Sequence, residues 1–97
     1  MPEKPLTEDE LLKECRAGLG MSSEPNEMID RVIKQKILAV KTFMKGSGVP
    51  DETLDSDLSV GAIVLGVQDL WNLKTGEVKF SPVFFMLVTQ LATKVIK

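Results

Sequence analysis

The sequence predicts an all-α fold: a single small domain, residues 1–97, of four helices, with two N-terminal helices packed on a hydrophobic C-terminal helix pair. Three observations carry that prediction. Apolar residues recur at spacings of three and four, the period of an amphipathic helix. The segments open on helix-start patterns, either a capping residue or a proline. They also outrun the usual length of a strand, although Val, Ile and Phe are frequent in them.

The first helix is placed at 8–17. Thr7 and Glu10 form a capping box, and Leu6 and Leu11 occupy the two positions of a hydrophobic staple. Glu8, Asp9 and Glu10 fill the first turn, where carboxylates favour the positive end of the helix dipole. Leu11, Leu12, Cys15 and Leu19 fall on one side, and Gly18 or Gly20 ends the helix. A connector, GMSSEPN, leads to the long second helix, with Pro25 in its first turn, where a missing N–H costs little. Met28, Ile29, Val32, Ile33, Ile37, Val40 and Met44 give it a broad apolar face. Arg31, Lys34, Lys41 and Lys45 cluster on the opposite side. Lys36 projects from the apolar arc, so its ammonium must snorkel outward or meet an acid such as Asp69.

Residues 46–57, GSGVPDETLDSD, read as a loop with room for one helical turn after Pro50. Ser56 or Asp57 then caps the third helix, at about 58–73. Apolar residues surround that helix apart from a strip at Gln68, Asp69 and Asn72, the pattern of a central helix. Gly61 and Gly66 cost helix propensity, which close approach of a neighbouring backbone at both would explain. Lys74-Thr75-Gly76 is a helix stop, and Ser81-Pro82 starts the fourth helix, with Phe80 and Phe85 at staple positions. That helix runs to about Ile96 on the spacing of Phe84, Leu87, Val88, Leu91 and Val95. Residues 1–6 are expected to be flexible.

Composition removes several function classes. With 12 basic and 14 acidic residues, net charge −2, no global field recruits nucleic acid or acidic lipid. Cys15 alone allows no intrachain disulfide, which fits a reducing cytoplasm. The polar, acidic start, MPEKPLTEDE, is unlike a secretory signal peptide. No histidine is present, so the commonest general base and metal ligand is missing. The unbroken apolar runs, at 60–67 and 83–88, fall short of the about 20 residues a transmembrane helix needs, so no membrane partner is expected.

Individual residues add little chemistry. Cys15 reads as a small buried hydrophobe. Asp51, Glu52, Asp55 and Asp57 read as a solvated acidic loop, because they lack the order and closing Glu of a calcium loop. The glycines match neither a phosphate-binding nor a dinucleotide fingerprint. No catalytic, cofactor-binding or metal residue is assigned, no cofactor is called for, and the chain is not expected to be an enzyme. Two surfaces remain as candidates. The basic lane Arg31, Lys34, Lys41 and Lys45 could follow a DNA backbone or an acidic partner, and is equally the ordinary polar side of a surface helix. A subunit interface is assigned to Asp51, Glu52, Leu54, Trp71, Val83 and Met86. Of these, Val83 and Met86 fall on the more polar side of the last helix, and Trp71 reads first as core and, near a helix end, also as an interface-anchor type.

The order of elements resembles the small head–tail connector proteins of tailed bacteriophages and prophages, also called head-completion or adaptor proteins. The similarity spans about residues 6–96. It rests on a short capped helix (TEDELLKECR), a long one (EMIDRVIKQKILAVKTFM), a Gly/Pro/acid loop, an apolar helix ending in an aromatic (VGAIVLGVQDLW), and the Leu-x-x-Gln-Leu element from Leu87 to Leu91. The resemblance implies a structural subunit, made in the bacterial cytoplasm and located in the virion. It would form a homo-oligomeric ring between portal and tail that extends the DNA channel. Portal and tail-completion proteins are then the partners, with transient, non-specific passage of DNA. In that setting the basic lane faces DNA or an acidic neighbour, and the 46–57 loop reaches an adjacent subunit or the portal. A small helical DNA-binding regulator and a generic protein-interaction module are the alternatives.

Overall fold

A computed structural model of the chain describes residues 7–22, 24–72 and 80–93. The all-α prediction holds. The helices are α1 (Glu8–Gly18), α2 (Glu27–Gly46), α3 (Asp51–Leu54), α4 (Val60–Trp71) and α5 (Pro82–Thr93), with a 3-10 turn at Asp57–Ser59 feeding α4. The expected flexibility of residues 1–6, the Leu6 staple position, the stop at Thr75-Gly76 and the end of the last helix at Ile96 lie outside the described residues.

Local chemistry explains where the helices begin and end. The capping box at α1 forms as read: the Glu10 N–H donates to Thr7 Oγ1 and the Thr7 N–H donates to Glu10 Oε1, both at 3.1 Å. At α2 the expectation is corrected. Pro25 precedes the helix, and Asn26 is the N-cap, its Oδ1 accepting the Ile29 N–H at 3.1 Å. Asparagine wins that position because its side chain satisfies a first-turn donor that proline would leave unpaired. Both helices end alike. Gly20 (φ 74°) and Gly48 (φ 102°) take the left-handed conformation that closes a helix. The following N–H groups reach back, Met21 to the Arg16 carbonyl at 2.9 Å and Val49 to the Met44 carbonyl at 3.1 Å.

The predicted 46–57 loop is more ordered than its composition implied. Four residues after Pro50 wind into α3, which carries Leu54 into the core. Ser56 and Ser59 are buried and tie the chain down: Ser59 Oγ donates to the Leu54 carbonyl at 2.9 Å, and Ser56 Oγ donates to the Thr53 carbonyl at 2.9 Å. Ser56, the expected cap, accepts the Leu58 N–H on the same oxygen at 3.3 Å.

α4 is central, packing on α1, α2 and α5. The core draws on every helix: Leu11, Leu12 and Cys15 from α1, Ile33, Ile37, Val40 and Met44 from α2, Leu54 from α3, Ala62, Ile63 and Val67 from α4, and Phe84, Val88 and Leu91 from α5. Glycine sets the spacing at two crossings. A Cβ at Gly66 would lie 2.7 Å from Phe84 Cε1 and 2.8 Å from Val40 Cγ1, both on side chains with no exposed surface. A Cβ at Gly18 would lie 2.5 Å from Val64 Cγ1, and the Gln68 amide donates to the Gly18 carbonyl. Close approach at Gly66 is therefore present, but from side chains of two helices rather than from the neighbouring backbone that was expected. At Gly61, for which the same was expected, a Cβ would meet nothing within 4 Å.

These two glycines generate opposite expectations. Gly66→Ala gains helix propensity but overpacks the site, and a net loss of about 1–3 kcal/mol is expected by denaturant unfolding. Gly61→Ala should be neutral or stabilising by up to about 1 kcal/mol in the same measurement.

Candidate functional site

The described residues hold no enclosed chemistry. Among them, no group of three or more His, Cys, Asp or Glu could hold a metal ion. No buried side-chain nitrogen or oxygen among them lacks a hydrogen-bond partner. No helix of the described residues is long and apolar enough to cross a membrane. Cys15 is fully buried on α1. Burial, with Glu14 adding a smaller push, raises its thiol to about 12. The thiolate is the reactive form, so the native thiol should react with a chromogenic disulfide reagent at mildly alkaline pH on the order of a thousandfold slower than the unfolded chain. Absorbance with and without denaturant reads that difference.

The best-formed polar cluster is an ion pair that sequence patterning did not identify. Arg16 follows Cys15 on the buried side of α1, and its Nε and Nη2 donate to Asp30 Oδ1 and Oδ2 on α2 at 2.8 and 2.6 Å. The two side chains are 10% and 14% exposed. They floor a hollow of about 160 Å³ that Met21, Glu24 and Ile29 help to line. The Arg16 hydrogen bonds hold the Asp30 carboxyl below the usual carboxylate range, with the Asn26 N–H and the Lys34 charge assisting. The pair clasps α1 to α2. Because the carboxyl is depressed in the folded state, its stabilisation is complete above the ordinary aspartate value of about 4 and is lost as pH falls through the folded value. Asp30→Asn should therefore melt at lower temperature than the wild type near neutrality, with the gap closing below about pH 4. Thermal unfolding followed by circular dichroism across pH tests this, and a gap independent of pH would count against it.

The basic lane is present but discontinuous. Arg31, Lys34 and Lys45 are exposed and Lys41 is half-buried. Leu38, 66% exposed, lies on the same side between Lys34 and Lys41. Lys45 Nζ lies 3.4 Å from Asp51 Oδ1, in an exposed pair that joins the lane to the acidic segment. Such pairs contribute little stability, yet this one lowers the positive charge available to a phosphate backbone. Lys36 does not meet Asp69. Its Nζ sits 5.9 Å from the centre of the Trp71 ring, within cation–π range. Asp69 instead accepts the Ser81 N–H at 2.9 Å and anchors the start of α5.

The residues assigned to a subunit interface separate. Leu54 is 5% exposed and belongs to the subunit's own core, because α3 turns it inward; it leaves the candidate set. Asp51 and Glu52 are exposed beside Lys45, and Trp71 is half-buried under Lys36. Val83 and Met86 are exposed on α5. Val83 and Met86 thus share α5, three residues apart, while Asp51 and Glu52 lie on α3.

α5 itself is the most distinctive surface. Ser81 caps it, Oγ accepting the Phe84 N–H at 3.3 Å. The expected staple residues meet edge-on, with Phe80 and Phe85 ring centres 6.2 Å apart. Phe80 also stacks on Phe84 at 4.3 Å, and Phe43 of α2 joins at 5.0 Å from Phe80, so the four phenylalanines form one cluster. Phe84, Val88 and Leu91 are buried along one edge of the helix, while Val83, Phe85 and Met86 stay exposed. Phe85 and Gln90 were outside the predicted interface. The signal available in the sequence is that no charged residue occurs between Lys79 and Lys94.

Comparison with protein-family models, with curated proteins and with solved structures finds no match to this chain.

Proposed function

We propose that the protein is a non-catalytic assembly subunit of the head–tail connector class, joining a ring between the portal and tail of a tailed phage and extending its DNA channel. The observation that carries this is the uncharged outer face of α5, on which Val83, Phe85 and Met86 stand exposed. Exposed contiguous apolar surface on a small domain is the mark of a partner surface. The order and lengths of the helices support the connector class through the resemblance described above. A net charge of −2 also suits a channel wall, since strong phosphate contacts would retard DNA in transit. Against a DNA-binding regulator stand the interruption of the basic lane by Leu38 and the pairing of Lys45 with Asp51. The Arg31–Lys45 lane also runs along the longest helix, whereas regulators read bases with a short recognition helix.

The decisive experiment is electron microscopy of the protein mixed with the portal ring encoded by the same genome. A second ring of density on one end of the portal is the expected outcome; an unchanged portal at saturating protein would overturn the proposal. Portal, capsid and tail genes beside this one are expected on the same grounds.

A further inference from the structure

Charge is sorted by sign on two parts of the described surface. On the outer side of α2, Arg31 and Lys34 are exposed, Lys41 is half-buried, and Leu38, 66% exposed, lies among them. Past the end of α2 the sign reverses. Asp51, Glu52, Asp55 and Asp57 are exposed, and Leu58, which follows directly, is 39% exposed. Each surface therefore sets charges of one sign beside an exposed leucine. Glu27 is an acid on the basic side, but it stands at the very start of the helix, before Arg31.

Within one chain the two surfaces meet at a single point, Lys45 with Asp51 at 3.4 Å. Among the described residues, none of Arg31, Lys34, Lys41, Glu52, Asp55 and Asp57 belongs to an ion pair. Geometry keeps the far end of the lane out of reach. At 1.5 Å per residue, Arg31 and Lys34 lie about 21 and 16 Å along α2 from Lys45, where the acidic segment is tied. No side chain closes that gap, so Arg31 and Lys34 can meet such a segment only on another molecule.

We infer that the acidic segment of one copy, from Glu52 to Leu58, docks on the α2 face of the next, with its carboxylates towards Arg31, Lys34 and Lys41 and Leu58 towards Leu38. Charge complementarity identifies the occupant. The chain itself carries the counter-surface, with three unpaired acids for three unpaired cations and a leucine for a leucine. A duplex would engage the cations through its phosphates and leave Leu38 against an ionic backbone. A protein surface with an apolar centre and a charged rim covers all four side chains. The contact joins two different patches, so it is heterologous, and contacts of that kind close into a ring where the rotation between neighbours permits. Each copy keeps one patch for the neighbour on either side, and the α5 face takes no part. Opposite charge across such a contact fixes register and partner choice, and salt weakens it.

The inference rests on the assembly reading above and names the two surfaces by which neighbouring subunits meet. Sedimentation velocity of the full chain, from micromolar to millimolar concentration at low and high salt, tests it with two charge-reversed variants. One carries Lys34→Glu with Lys41→Glu, the other Glu52→Lys with Asp55→Lys. The wild-type average mass should rise with concentration at low salt and fall back at high salt. Each variant alone should associate at least about tenfold more weakly, with helix content by circular dichroism unchanged. An equimolar mixture of the two should regain association, because each then offers the charge the other lacks; a general loss of structure would not be repaired by mixing. A wild type that stays monomeric at low salt and millimolar concentration overturns the inference, as does association that neither salt nor the variants alter, or a mixture that stays as weak as its components. Monomeric wild type that shifts duplex DNA assigns the lane to nucleic acid and overturns it. Monomeric wild type that adds a ring to the portal overturns it while the connector reading stands. Association restored in the mixture, with no ring added to the portal, sustains the contact and removes the connector reading.

Discussion

Gly66 lies where three helices meet, and the missing side chain there sets the distances on which the rest of the packing depends. Val40 of α2 and Phe84 of α5 both press against the backbone of α4 at this point, and neither side chain has any exposed surface. Interiors are packed at crystal-like density, so a methyl group at Gly66 would force the Phe84 and Val40 side chains to shift. Once Phe84 is seated, Phe80 stacks on it and Phe43 closes the cluster from α2. One turn along α4, Asp69 takes the Ser81 N–H, so the start of α5 is held at two successive turns. On the opposite side of α4, Gly18 plays the same part for α1, which settles on Val64 and Gln68.

This arrangement leaves the two ends of the chain held very differently. α1 is closed on one side by the core and on another by the Arg16–Asp30 clasp, which spans to α2. α5 is held by the edge that carries Phe84, Val88 and Leu91, with no ion pair or charged residue of its own among Pro82–Thr93. The charges of the described chain collect on α1, α2 and the α3 segment. α2 also exposes Met28, Val32 and Leu38, but there they stand among charged residues, whereas Val83, Phe85 and Met86 of α5 have only uncharged neighbours on their own helix. Contacts made through such a face draw on apolar burial, so they respond weakly to salt, unlike contacts made through the basic lane.

Whether a feature was legible in the sequence depended on how far apart its partners lie. The capping box of α1 is an exchange between residues three apart, and Thr7 with Glu10 announces it. The serine cap and phenylalanine staple of α5 are equally local, and both are present. At α2 the proline signal placed the start one residue early, and Asn26 is the cap because its oxygen reaches the Ile29 N–H. The 46–57 segment reads by its Gly, Pro and acids as a loop with room for one turn after Pro50, and α3 is that turn. What its composition did not announce is that Leu54 and the two serines bury the turn and satisfy its carbonyls. Of the α5 surface, Val83 and Met86 were visible by helical phase, and the charge-free stretch around them can be read directly. The groove beside it, lined by Leu58, Gly61, Leu87 and Leu91 among others, could not be, since Leu58 and Gly61 reach it only through the crossing of α4 and α5.

The sequence by itself determined the all-α class, the four main helices and the burial of Cys15, and the inward side of α2 from Ile33 to Met44; Met28 and Val32, expected on that same side, are exposed. What it determined follows from period and capping, which are interactions between residues at most about four apart. Only the tertiary structure decided which glycine is a packing necessity. Gly61 and Gly66 look alike in VGAIVLG, but they lie about half a turn from facing the same way, and one meets Val40 and Phe84 while the other meets solvent. It likewise decided the partners of long side chains: Arg16 took Asp30, Lys36 took Trp71, and Asp69 took a backbone N–H. Those choices depend on how helices cross, and crossing is fixed by the summed shapes of many side chains rather than by any local pattern.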